Sequence, residues 1–195
     1  MNIIKLILAF GMALALSANL VAPASAATWY NPETNRFEDR AETAGRGGSS
    51  IKKQIVSYET SQKPGTVIIN TAERRLYLVL EDGKAMKYGI GVGREGFTWS
   101  GTNRISRKAE WPGWTPPPAM RKRVPDLPAY MPGGPDNPLG ARALYIGSTL
   151  YRVHGTSEPW TIGQAVSSGC IRMTNDDVVD LYERVQVGAR IVVNH

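Results

Sequence analysis

Nine of the 13 prolines in this chain fall between Trp111 and Pro138, and that stretch limits what the rest can become. Proline has no backbone N–H and a locked φ, so so dense a run is excluded from central strands and from helices. A long irregular stretch inside a compact domain usually serves as a lid or binding loop. The sequence on either side carries β signals instead. Val67-Ile68-Ile69 and Leu76 to Leu80 are apolar runs, and Glu81-Asp82-Gly83-Lys84 puts an Asp-Gly hairpin signal before a partner strand from Ala85 to Val92. Ala143 to Ile146, Leu150 to His154 and Ala189 to Val193 read as further strands. One helix is expected after Thr174, which forms a capping pattern with Asp177. Val178, Leu181, Tyr182 and Val185 then make one apolar stripe. The expected fold is mainly β with one or two helices.

Residues 1–26 read as a secretory signal peptide. Lys5 is their one charge, Leu6 to Leu16 is an apolar or Gly run of 11 residues, and Ala24-Ser25-Ala26 supplies small residues for cleavage. A span of the bilayer needs about 20 apolar residues, so no stable membrane insertion is expected after cleavage. The mature protein is therefore expected to be exported. Residues 27–62 are polar and include Gly45-Arg46-Gly47-Gly48-Ser49-Ser50, which reads as an arm or linker ahead of a folded domain over 63–195. The chain carries a net charge of +6, and without Lys5 this is +5. Arg104, Arg107, Lys108, Arg121, Lys122 and Arg123 against Glu110 sum to +5 within 104–123, and 104–140, which adds Asp126 and Asp136, reads as a basic, Pro-rich, lid-like segment. Nucleic acid is not an expected partner for an exported protein. The patch reads either as a surface for anionic envelope material or as a solvated loop. Trp114 inside it either touches substrate or pins the loop to the core.

With one cysteine the chain has no internal disulfide framework, and with two histidines, one of them the terminal His195, it has no recognisable metal-ligand spacing; no metal and no cofactor are expected. Gly91-Val92-Gly93-Arg94-Glu95-Gly96 matches a dinucleotide-binding pattern, but Phe97-Thr98-Trp99-Ser100-Gly101 does not start the helix such a site requires. These glycines are expected to serve tight turns or close backbone approach. Cys170 and His154 remain. A free Cys is often an inert core residue, yet an unpaired thiol in an oxidising compartment invites another reading. An imidazole within reach can take the thiol proton and make it a nucleophile. A hairpin-like return between His154 and Cys170 would bring them together, and Gly169 would let backbone N–H groups approach a tetrahedral intermediate.

His154-Gly155-Thr156, Ile162-Gly163 and Ser167-Ser168-Gly169-Cys170-Ile171-Arg172-Met173 together resemble the signature of the L,D-transpeptidase family, with its YkuD-like catalytic domain. Gly133 to Gly140, Ala143-Leu144-Tyr145 and the tail from Asp177 to Gly188 add to the likeness, which spans about Pro64 to Val193. The resemblance implies a β-sandwich-like domain of mixed sheets that remodels peptidoglycan through its stem peptides. It makes Cys170 the nucleophile, His154 the base, and Gly155 the residue whose carbonyl orients the imidazole. Arg172, Ser167, Ser168, Gly169 and Trp114 become supporting or substrate-binding positions. Many relatives carry a second His where this chain has Ser168, so His154 must act alone as base. The implied reaction is acyl transfer from a stem tetrapeptide to an amine. A carboxypeptidase or a lipoprotein-anchoring or anchor-cleaving enzyme would share the same acyl-enzyme, and a non-catalytic wall-binding module is the alternative of another kind.

Overall fold

The computed structural model of the chain describes residues 28–31, 36–39 and 47–195. The leader reading for residues 1–26 lies outside them. Strands β1 (Thr28–Asn31) and β2 (Arg36–Asp39) pair as a separate antiparallel ribbon. The body of the protein is a nine-stranded mixed sheet. Its members in chain order are β3 (Gln54–Ser57), β4 (Val67–Asn70), β5 (Arg75–Val79), β6 (Lys84–Gly89), β8 (Gly101–Glu110), β9 (Arg142–Ile146), β10 (Arg152–His154), β12 (Ile171–Arg172) and β13 (Arg190–Asn194). Across the sheet they run β12-β10-β9-β8-β13-β4-β5-β6-β3. The short strands β7 (Val92–Gly93) and β11 (Ala165–Ser167) form a parallel pair beside it.

The apolar runs form strands because alternate residues point into one core. Val67, Ile69, Leu76 and Leu78 are buried there from one half of the sheet, and Leu144, Ile146 and Val153 from the other. Strand β8 joins the halves. Its first residues pair with β13, its later ones pair with β9, and the ladder slips between Ile105 and Arg107. Such a bulge bends a strand, and both halves of the sheet close on one core. The hairpin at Asp82-Gly83 forms as the sequence predicts, with both residues at positive φ. So does the capped helix, α2 (Asn175–Arg184), where the Thr174 side chain accepts from the Asp177 N–H and Val178 and Leu181 are buried.

Three expectations need correcting. Residues 54–57 are part of the sheet rather than of a tether: β3 covers the free edge of β6, with Ile55 opposite Met86. Residues 101–110 are a strand and not the start of a lid. Arg104 donates to the Gly188 carbonyl, Arg107 lies over the Tyr145 ring, and the Lys108 ammonium donates to the Tyr182 and Val185 carbonyls at the C-terminus of α2. Half of the basic patch thus serves the fold, where cations complement a helix end and an aromatic face. The proline segment does contain a helix, α1 (Pro118–Arg123), because proline at the first helical position gives up an N–H that would have had no partner in any case. The segment is ordered by a satellite core of Trp114, Met120, Leu127 and Leu139. Reciprocal Trp114–Met131 backbone hydrogen bonds of 2.8 Å and the buried Asn137 amide also hold it.

Gly91 to Gly96 runs through β7 into a turn, without opening a helix. A Cβ at Gly93 would stand 2.5 Å from the Phe97 carbonyl oxygen and 3.2 Å from the Gly169 Cα. Both neighbours are backbone and cannot swing aside. Gly93→Ala is therefore expected to destabilise the domain by roughly 1–3 kcal/mol, read from a urea midpoint, and to shift the loop that carries Cys170.

Candidate active site

His154 ends β10, and Cys170 immediately precedes β12. The two strands pair in parallel, Val153 opposite Ile171 and His154 opposite Arg172. The expected hairpin-like return is thus incorrect: 159–167 leave the sheet through a 3₁₀ turn (Pro159–Thr161) and β11 before the chain re-enters beside β10. Alternation along β10 sends Val153 into the core and leaves Arg152 and His154 facing a cavity of about 360 Å3 that Cys170 also lines. Trp114, Met120 and Leu139 from the proline segment line it from above the sheet. Trp114 pins the segment to the fold, one of the two roles considered for it, and it also lines the cavity.

The loop before Cys170 is clamped at several points. Ser167 Oγ donates to the Cys170 carbonyl at 2.6 Å and accepts from the Gly169 N–H at 3.1 Å. Trp99 Nε1 donates to the Gly169 carbonyl at 3.1 Å while its ring stacks on Tyr151. Gly169 has φ +104°, and a Cβ there would meet the Tyr151 ring at 2.5 Å. Only glycine fits this turn. Ser168 lines the cavity beside Cys170. Trp99 and Tyr151 were not singled out in the sequence, where nothing separates them from ordinary core aromatics.

The chemistry of the site follows from one short contact. His154 Nδ1 lies 2.6 Å from the Gly155 carbonyl oxygen. A carbonyl only accepts, so Nδ1 carries the proton and Nε2 of the neutral ring keeps its lone pair. Burial lowers the His154 pKa to about 4, with the Arg152 charge adding to this and the Gly155 hydrogen bond opposing it. Burial pushes the half-buried Cys170 thiol up, against the charge and hydrogen bonding of Arg152. The resting pair at neutral pH is a neutral imidazole and a neutral thiol whose Sγ donates to the Leu150 carbonyl oxygen, 3.8 Å away. Such a base can take a proton as attack begins rather than beforehand.

Arg172 is buried and paired with the equally buried Glu158 carboxylate at 3.1 Å. Burial lowers its pKa to about 9, which leaves it charged near neutrality. Glu158 is the partner the sequence did not reveal: it sits in a loop twelve residues before Cys170, and no local pattern marks it. Among the described residues, no group of three or more His, Cys, Asp or Glu side chains is placed to hold a metal ion.

Residues 64–193 match the family described as YkuD, L,D-transpeptidase catalytic domain. The chain belongs to the L,D-transpeptidase family. It is 41% identical over 153 residues to the probable L,D-transpeptidase ErfK/SrfK of Escherichia coli strain K12, covering 74% of this chain and 48% of that protein. The chain spans about half the length of the curated relatives it matches, 48% and 50% for two of them. A solved structure from Brucella melitensis, described as a probable carnitine operon oxidoreductase, is 45% identical with a TM-score of 0.52, covering 75% of this chain and 95% of that one. L,D-transpeptidase 3 of Mycobacterium tuberculosis with a faropenem-derived adduct shares the fold at 18% identity and TM-score 0.53, over 67% of this chain and 60% of that one. The mainly-β, mixed-sheet expectation for this L,D-transpeptidase domain holds, with two helices among the described residues.

Two outcomes are expected from this geometry. The folded His154 pKa of about 4 lies below the ordinary value of 6.5, so between these values the unfolded chain binds a proton that the native chain does not. Stability should therefore fall as pH drops from about 6.5 towards 4, by up to roughly 3 kcal/mol. Urea midpoints across that range should show this fall, and His154→Gln should flatten it. Glu158→Gln removes the carboxylate from a buried guanidinium and should cost roughly 3–5 kcal/mol in chemical denaturation.

Proposed function

We propose that this domain is a cysteine-dependent L,D-transpeptidase acting on peptidoglycan stem peptides in the periplasm or cell envelope. The observation that carries the reading is the neutral His154, its Nδ1 committed to the Gly155 carbonyl, lining one cavity with Cys170. An unprotonated ring nitrogen that lines the same cavity as a thiol that burial holds protonated suits general-base activation.

The reaction starts on the carbonyl of the third stem residue, diaminopimelate, in a donor tetrapeptide. Sγ of Cys170 forms a bond to that carbon as its proton passes to Nε2 of His154. The Gly169 N–H already serves Ser167 Oγ, which leaves the developing oxyanion to the Cys170 N–H. Collapse breaks the C–N bond, and the imidazolium returns the proton to the departing D-Ala amine. The resulting thioester is attacked by a side-chain amine of a second stem. That amine's proton goes to His154, the C–S bond breaks to release the 3→3 cross-linked product, and the thiolate recovers the proton. The Arg172–Glu158 pair behind β12 keeps the strand after the nucleophile in place and needs no direct part in bond making. No cofactor enters this scheme.

Peptidoglycan incubated with the protein and then digested should yield cross-linked dimers that lack terminal D-Ala, identified by mass. Cys170→Ala should abolish them while leaving binding to cell-wall material largely intact. Tripeptide monomers in place of dimers would make water the acceptor, and release of a bound protein would make the enzyme an anchor hydrolase. Cross-link formation unchanged by Cys170→Ala would overturn the mechanism.

A further inference from the structure

The cavity that holds Cys170 is lined by three arginines, Arg123, Arg152 and Arg172, and by no carboxylate. Arg172 is neutralised from behind by Glu158. Neither Arg123 nor Arg152 forms an ion pair among the described residues. Arg123 is on the exposed rim, at the end of α1. Arg152 is deeper, two residues before His154 on β10, so strand alternation puts both side chains on the cavity side. Its guanidinium carbon lies 5.2 Å from the Tyr145 ring centre, and its Nε is buried with no hydrogen-bond partner. Arg152 and Cys170 line the same cavity, and the charge of Arg152 acts on the thiol. A half-buried cation without a counter-ion, turned towards a nucleophile, is costly unless an anion arrives to meet it.

We infer that Arg152 is a specificity-determining residue that binds a free carboxylate on the residue immediately after the scissile carbonyl of the donor peptide. The inference rests on the acyl-transfer reading of the site. The spacing supports it. In a peptide whose next residue is its last, the terminal carboxylate carbon is three bonds from the attacked carbonyl carbon, roughly 3–4 Å away. A guanidinium beside Sγ thus reaches that carboxylate when Sγ reaches the carbonyl. A donor extended by one more residue would put a neutral amide there instead and leave Arg152 unpaired. Guanidinium–carboxylate pairs combine charge with paired hydrogen bonds, which an amide cannot match. The two basic positions then differ in duty, Arg152 at the reacting end of the donor and Arg123 at the mouth.

The test compares two synthetic donors, a stem tetrapeptide ending in D-Ala and the same peptide with a C-terminal carboxamide. Acylation of Cys170 is followed by intact mass for the unmodified chain, Arg152→Gln and Arg152→Lys. The unmodified chain should favour the acid by roughly 10- to 100-fold in kcat/KM. Arg152→Gln should lose that preference mainly through KM, and Arg152→Lys should recover part of it. A residue that only supported the fold would slow both donors alike and leave their ratio unchanged, which would overturn the inference. Absence of acylation by either donor would count against the proposed function instead. Binding to Cys170→Ala, measured calorimetrically, then decides the role of Arg152. Tighter binding of the acid than of the amide, abolished when Arg152→Gln is added, supports it, and equal binding of the two peptides overturns it.

Discussion

The parallel ladder between β10 and β12 is the constraint on which the site depends. It is only two residue pairs long, Val153 with Ile171 and His154 with Arg172, yet it sets the imidazole and the thiol in one cavity. Parallel neighbours cannot be joined by a tight turn, so the chain must leave and return, and the excursion has been put to use. It supplies Glu158, whose carboxylate meets Arg172 from below, and Ser167, whose hydroxyl shapes the turn before Cys170. The backbone closes the arrangement, with the Met173 N–H donating to the His154 carbonyl at 2.8 Å. Position, charge and backbone geometry at the site therefore share one origin.

Around this ladder the protein uses backbone carbonyls where many enzymes use side chains. The Gly155 carbonyl sets the tautomer of His154, the Leu150 carbonyl holds the thiol, and the Gly169 carbonyl ties Trp99 to the loop. A carbonyl does not titrate, so these contacts keep their polarity across the pH range. The charges that remain at the site are the arginines and the Glu158 carboxylate that pairs with Arg172. Burial holds the pKa of His154 down at about 4.

Much of this is legible in the amino-acid sequence. The Asp82-Gly83 turn and the Thr174 cap are local signals, each decided within a few residues, and both form as expected. The pairing of His154 with Cys170 was readable only as a motif, since the ladder that unites them joins residues far apart in sequence. Strand β8 was hidden by its polarity: only Ile105 is fully buried in ten residues, and its cations bond carbonyls and rings elsewhere in the fold. Helix α1 was hidden by the rule that prolines break helices, which does not hold at a first turn. Arg152 read as an ordinary strand residue, because its environment is made by Tyr145 and Cys170 from neighbouring elements.

Strand β3 has a consequence for where this domain can be divided. The matched family region opens at residue 64, seven residues after β3 ends. A fragment cut there would keep every residue of the cavity but would leave β6 with a row of unsatisfied backbone donors and acceptors. Ala85, Met86 and Tyr88 of that strand are apolar and buried. An uncovered apolar edge is a template for another copy of the same edge. The polar segment ahead of the matched region therefore carries, in β3, a strand that the edge of β6 needs, and a fragment that is to keep this sheet whole must begin before residue 54.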